Sequence, residues 1–322
     1  MSDMTGTSMS TNMTDTSAGT VSGTSTSAAT VRGVTRVTSK RSLGADGQVD
    51  EKALIFLPDD PALTDPFLVL VEDWFSTPGF DWHPHRGIET VTTVLDGVLE
   101  HGDSLGNAGA LESGDVQWMT AGHGIIHREL AYRDERVHTL QLWLNLPAER
   151  KLTEHRYQNL LASGRPHVER PGVAIDLVSG SVDGTRGPAL NHVDVQGAVV
   201  TIEPGTTLDY PLPAAHRVFA YVLAGRVTIA DHDLATGQTA WSDPVSLPLP
   251  LSGGDSTLRL SVPDGEQAAR LMIYSGTPLR EPVAFGGPFV MNHQSEIQQA
   301  YQDFRSGKFG GVPELARIEY DR

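Results

Sequence analysis

The sequence predicts an all-β fold built as two sandwich-like or barrel-like halves, with a metal site in the first. Three observations carry that reading. From Val31 onward, short apolar or alternating runs recur between Gly, Pro and Asp, with no helical periodicity between them. Asp96-Gly97 and Ala224-Gly225 each separate two such runs as a hairpin turn, so the second half reads as a degenerate repeat of the first. Finally, His83-Pro84-His85 lies about forty residues ahead of His127-Arg128-Glu129. Side chains alternate along a strand with period two, so His83 and His85 share one face, as do His127 and Glu129.

Taken in order, residues 1–30 hold Ser, Thr, Gly, Ala and scattered Met without Leu, Ile, Phe, Trp or Tyr, which predicts a disordered tail. Arg32, Arg36, Lys40 and Arg41 follow that tail instead of opening it, against a targeting peptide. Strands are expected over 31–37, 53–57, 67–75, 88–95, 98–101, 116–120, 125–130 and 139–146. In the last of these, Leu140, Leu142, Leu144 and Leu146 point one way and Gln141, Trp143 and Asn145 the other, and the pattern leaves open which face lines a cavity. Pro147 to Lys151 reads as a charged linker and places the domain boundary at 150. The second half, 151–290, carries strand-like runs at 172–178, 193–203, 217–223, 226–230, 257–262 and 270–274. In 291–322, Asn292 or Ser295 caps a helix whose apolar face is Ile297, Ala300, Tyr301 and Phe304, ending near Gly307.

Composition narrows the function. With 24 Lys and Arg against 40 Asp and Glu, the net charge is −16, and no basic stripe is present, so a nucleic-acid-coating surface is not expected. The chain has no cysteine, which excludes thiolate zinc sites, Fe–S clusters, disulfides and Cys nucleophiles. No apolar run reaches the roughly 18–20 residues that span a bilayer, and the expectation is a cytoplasmic protein. Gly-x-Ser-x-Gly, phosphate-loop and His-Glu-x-x-His motifs are missing. What remains is the histidine pairs. Three neutral nitrogens with one carboxylate suit Fe(II), Mn(II), Ni(II), Cu(II) or Zn(II) without choosing among them.

The run His83-x-His85-x-x-x-Glu89, with Gly97 closing the next hairpin and Gly124-x-x-His127 beyond it, resembles the two paired motifs of the cupin superfamily. More narrowly, His83-Pro84-His85-Arg86-Gly87-Ile88-Glu89-Thr90, the stretch from Gly114 to Gly122 and His127-x-Glu129 resemble the pirin family. The likeness runs from about Val31 to Gly310 and includes 289–292 and 304–307. It implies a bicupin of two packed β-barrels (double-stranded β-helices) with one mononuclear iron, as Fe(II), in the N-terminal barrel. It also implies a ligand set of His83, His85, His127 and Glu129. Glu89, at the acidic position of the cupin motif, is expected beside the ligands and not among them. Pirins usually carry Arg where this chain has His123.

The resemblance further implies quercetin 2,3-dioxygenase activity, in which a planar flavonol and O2 give ring opening with release of carbon monoxide. Glu129 is then the catalytic residue that accepts the flavonol proton. The alternative, from another class, is an iron-dependent redox sensor that binds a protein partner. The second barrel lacks the ligand set: counting back from Gly225 gives Pro211 and Pro213, or Leu212 and Ala214 in the shifted register. His101 and His138 are expected at the surface or beside the ligands, and His216 near the mouth of the second barrel. Trp82, Trp118, Met119 and Trp143 are candidates for core or for an aromatic pocket wall.

Overall fold

A computed structural model describes residues 30–57, 59–76, 79–245 and 255–312. The tail expected over residues 1–30 lies outside the described residues but for Thr30. The fold is all-β, in two similar halves, with one long helix at the C-terminal end of the described chain. The front half pairs a seven-stranded sheet with a four-stranded one, and the back half pairs a seven-stranded with a five-stranded one. No helix among the described residues is long and apolar enough to cross a membrane.

The two halves meet through their seven-stranded sheets. Leu140, Leu142 and Leu144 from the front sheet join Phe219, Tyr221, Trp241 and Tyr274 from the back in one buried cluster. That contact settles the face question left open by the sequence. With the leucines turned toward the other half, Gln141 and Trp143 on the opposite face line the front cavity.

The interiors differ. The back half is filled by one continuous apolar cluster that includes Leu208, Tyr210, Leu212, Val218, Val222, Leu258 and Leu271. The strand that holds the His-x-His equivalents there, Thr207–Pro213, therefore projects Leu212 into the core. The front interior is split into two smaller apolar clusters, one around Phe75 and Leu99 and one around Leu68 and Met119.

Several elements depart from the sequence reading. Strands Phe80–His85 and Thr207–Pro213 contain prolines, and each pairs with a single neighbour at a sheet edge, where the missing N–H is harmless. The expected strand 31–37 splits into Thr30–Val31 and Arg36–Ser39, and both pair in the back half. Buried Arg32 lies between them and fixes the crossing, donating to Ser256 Oγ (2.6 Å), Pro213 O (2.7 Å), Ala214 O (2.9 Å) and Asp243 O (3.0 Å). Beyond residue 150, Arg156–Leu160 still pairs with Val116–Thr120 of the front sheet. The linker reading of Lys151 gives way to a buried pin, because its Nζ donates to Asn145 Oδ1 (2.6 Å), Gly87 O (2.8 Å) and Val290 O (2.9 Å).

The helix Gln294–Arg305 starts two residues after Asn292, with His293 at its N-cap in place of the expected Asn292 or Ser295. The Glu296 carboxylate accepts from the His293 N–H (2.8 Å) and the Asn292 N–H (3.1 Å). Its apolar face, Ile297, Ala300, Tyr301 and Phe304, is the one the sequence predicts. This C-terminal segment folds back on the front half: Arg86 donates to Asp303 (2.9 Å) and its guanidinium lies 4.6 Å over the Phe309 ring. Close approach is possible because Gly87 has φ +78° and a Cβ there would sit 2.0 Å from the Val290 carbonyl oxygen.

Gly87→Ala is thus expected to cost at least about 3 kcal/mol in urea unfolding, left-handed strain plus a backbone clash. Gly106→Ala, also at positive φ but with open space around it, is expected to cost about 1–2 kcal/mol. Equal costs for the two would show that the Val290 contact is not limiting.

Candidate metal centre

The strands Phe80–His85 and Ile125–Ala131 run antiparallel, with His83 directly opposite His127 and His85 opposite Ile125. Opposed residues share a face, and His85 joins them two residues along. One ring nitrogen from each of His83, His85 and His127 lies within 4.8 Å of the other two. Ring centroids stand 4.3 Å apart for His83 and His127, and 4.9 Å for His85 and His127.

Each Nδ1 has its own partner. His83 Nδ1 is 2.7 Å from Asp81 O, and His85 Nδ1 is 3.2 Å from Pro288 O. A carbonyl oxygen only accepts, so both Nδ1 atoms carry the proton and both Nε2 atoms present a lone pair. His127 Nδ1 is 2.9 Å from His101 Nε2, and His101 Nδ1 meets the Tyr157 hydroxyl. The Nε2 atoms of His85 and His127 are buried without a hydrogen-bond partner among the described residues. His85 Nε2 is thus a buried acceptor without a partner among the described residues, His127 Nε2 is another when its Nδ1 carries the proton toward His101, and a first-row ion fits as the missing partner of both. Burial, then repulsion among the imidazoles, drives the His85 and His127 pKa values well below the usual histidine value, and burial lowers that of His83. All three are neutral and ready to ligate at pH 7.

Glu129 stands outside that close group of imidazoles. The pairing register shifts between His127 and Glu129, a bulge that sets Glu129 opposite Phe80. Its carboxylate accepts from Thr92 Oγ1 (2.9 Å) and Gln141 Nε2 (2.6 Å), and Trp143 Nε1 donates in turn to Gln141 Oε1 (2.9 Å). Burial pushes its pKa up to about 7 against those hydrogen bonds. His83, His85 and Glu129 line a cavity of about 260 Å³ together with Val69, Val71, Phe80, Trp143 and Pro288. Asp73 and Lys52 complete its wall with Gln141, and burial raises the Asp73 pKa to about 7.

The other singled-out residues fall as follows. Glu89 is buried away from this cavity and accepts from Thr120 Oγ1 (2.6 Å). His101 is fully buried behind His127, and burial takes its pKa down to about 3. His138 stacks on Trp74 and meets Glu72 (3.0 Å). His216 is held between Ser275 and Asp194, each at 3.0 Å. Trp118 and Met119 are core, Trp82 lies under the Arg128 guanidinium, and only Trp143 among these four lines the cavity. His123 belongs to a separate cluster with Glu154 and His155.

Sequence reasoning missed Asp73, Thr92, Tyr157 and the Pro288 carbonyl. Asp73 carried a signal, a charge inside the apolar run Phe67–Phe75. The Pro288 carbonyl carried none, since it arrives from a distant part of the chain.

If His101 holds the His127 tautomer, His101→Ala is expected to lower metal affinity by about 10–100-fold while His127→Ala abolishes it. Equilibrium dialysis of the metal-free proteins reads both. Wild-type affinity in His101→Ala would contradict this role.

Comparison with known proteins agrees with the geometry. The Pirin family model matches residues 51–144, and the model for the pirin C-terminal cupin domain matches 197–310. A pirin-like protein of Solanum lycopersicum is 39% identical over 248 residues, covering 76% of this chain and 82% of that one. Pirin of Homo sapiens is 37% identical over 248 residues, covering 76% and 83%. Among solved structures, a quercetin 2,3-dioxygenase from Acinetobacter baumannii is similar with a TM-score of 0.77 at 28% identity, covering 88% of this chain and 100% of that one. A Geobacillus kaustophilus protein gives a TM-score of 0.74 at 37% identity, covering 79% and 100%. With both of its domains matched and its two all-β halves in the cupin arrangement, the chain belongs to the pirin family.

Proposed function

We propose that this protein is a metal-dependent dioxygenase of the quercetin 2,3-dioxygenase type, with His83, His85, His127 and Glu129 as the ligand set and iron(II) as the ion. The observation that carries the reading is a cluster of three imidazoles, with the Nε2 atoms of His85 and His127 buried without a hydrogen-bond partner among the described residues, beside an apolar-walled cavity that His83, His85 and Glu129 line. Similarity to the Acinetobacter baumannii quercetin 2,3-dioxygenase supports the substrate class.

When bound, the ion supplies Lewis acidity toward the flavonol oxygen and a redox centre for O2. The rest falls to the chain. Val69, Val71, Phe80, Trp143 and Pro288 give apolar walls for a planar ring system, and the cavity, about 260 Å³, admits one small molecule. Asp73 and Lys52, 4.0 Å apart, offer polar partners to ring hydroxyls at the wall. Glu129 takes the proton of the flavonol 3-hydroxyl, and the Trp143–Gln141 chain holds its carboxylate in place for that transfer. The overall reaction takes up O2 and loses one ring carbon as carbon monoxide.

Oxygen-electrode assays of the iron-loaded protein with quercetin test this. Glu129→Gln is expected to lower kcat by about 10²–10⁴-fold. No oxygen uptake by wild type with any of a flavonol panel would sink the dioxygenase reading and favour the redox-switched regulatory one.

A further inference from the structure

A second cluster of ligating side chains lies on the outside of the front half. His123, in the turn that launches Ile125–Ala131, meets Glu154 and His155, which precede the strand Arg156–Leu160. One nitrogen from each imidazole and one carboxylate oxygen lie within 4.8 Å of one another.

The backbone that carries these three residues is fixed in advance. His123 N–H donates to Thr153 O (3.0 Å), tying the two segments together. Gly122, at φ +47°, lets them approach so closely that a Cβ there would sit 2.0 Å from that same Thr153 oxygen. From beneath, Gly87 N–H donates to Gly122 O (2.9 Å) and Arg86 Nε to His123 O (2.7 Å).

The side chains are set for ligation. His155 Nε2 lies 2.5 Å from Gly124 O, so it carries the ring proton and Nδ1 keeps its lone pair. His123 Nε2 and Glu154 Oε2 stand 3.6 Å apart, too far for a hydrogen bond. Two ligand atoms held at about 2.0–2.2 Å from one tetrahedral ion stand roughly 3.3–3.6 Å apart, so the spacing fits a shared ion better than a direct contact. The two rings are tilted by 55° with centroids 4.1 Å apart and are not stacked face to face.

We propose that His123, Glu154 and His155 form a second site, for a divalent first-row ion such as zinc(II), nickel(II) or copper(II), with water in the remaining positions. Two imidazoles and one carboxylate are a donor set for such ions. The His123 and Glu154 side chains are 40% and 93% exposed, so this site exchanges with solvent, unlike the buried imidazoles of the front cavity. A bound ion cross-braces the turn four residues ahead of His127 to the segment that follows Lys151.

Zinc titration of the untagged, metal-free full chain at neutral pH, with binding counted by calorimetry and by elemental analysis after dialysis, tests the proposal. Wild type is expected to bind one more equivalent of zinc than His123→Ala and one more than Glu154→Gln. Circular dichroism should show both variants folded, and because neither residue touches the front cavity, the other equivalents should be unchanged. The same stoichiometry in all three proteins overturns the proposal, whether wild type binds no second ion or binds it elsewhere.

Discussion

The front half depends on one constraint: three imidazoles on two paired strands must each give up Nδ1 to a fixed partner. The antiparallel register puts His83 across from His127, yet register alone leaves each ring free to rotate and to choose its tautomer. The Asp81 and Pro288 carbonyls fix the rotation and tautomer of His83 and His85, and His101 fixes the rotation of His127. Two of these partners are carbonyls that cannot donate, and the third is a buried imidazole backed by a tyrosine hydroxyl. The cluster is therefore preorganised, with its ordering cost met during folding and not on binding.

Preorganisation reaches far along the chain. Pro288, which faces His85, sits on the segment that the helix Gln294–Arg305 and the Arg86–Asp303 pair hold against the front half. Lys151 pins the same region from the other side through Gly87 and Val290. The two halves thus share one scaffold but divide its uses. The back interior is packed with aliphatic and aromatic side chains, while the front gives up a continuous core for polar groups and a cavity. Burying the leucine face of the front sheet against the aromatic face of the back sheet compensates for that loss.

Much of this was legible in the sequence, where periodicity speaks. The i, i+2 histidines, the Asp96-Gly97 turn and the alternating leucines identified strands, halves and the imidazole cluster, because strand pleat maps spacing onto a face. Periodicity is silent on which face meets what, so Gln141 and Trp143 were placed on the cavity only by the other half's packing. It also fails where a strand is irregular. The bulge between His127 and Glu129 set the carboxylate apart from the imidazoles that spacing grouped it with. Long-range partners such as Pro288, Tyr157 and the back-half strands that receive residues 30–39 leave no local signal at all. Lys151 looked like linker charge because its three acceptors come from three separate segments.

The most direct test is a crystal structure of the protein grown with iron(II) under anaerobic conditions, with data collected on both sides of the iron absorption edge. The account predicts one anomalous peak within bonding distance of the Nε2 atoms of His83, His85 and His127 and of the Glu129 carboxylate, with every Nδ1 still on its present partner. An empty front cavity, or an ion held through Nδ1 with those contacts broken, would contradict it.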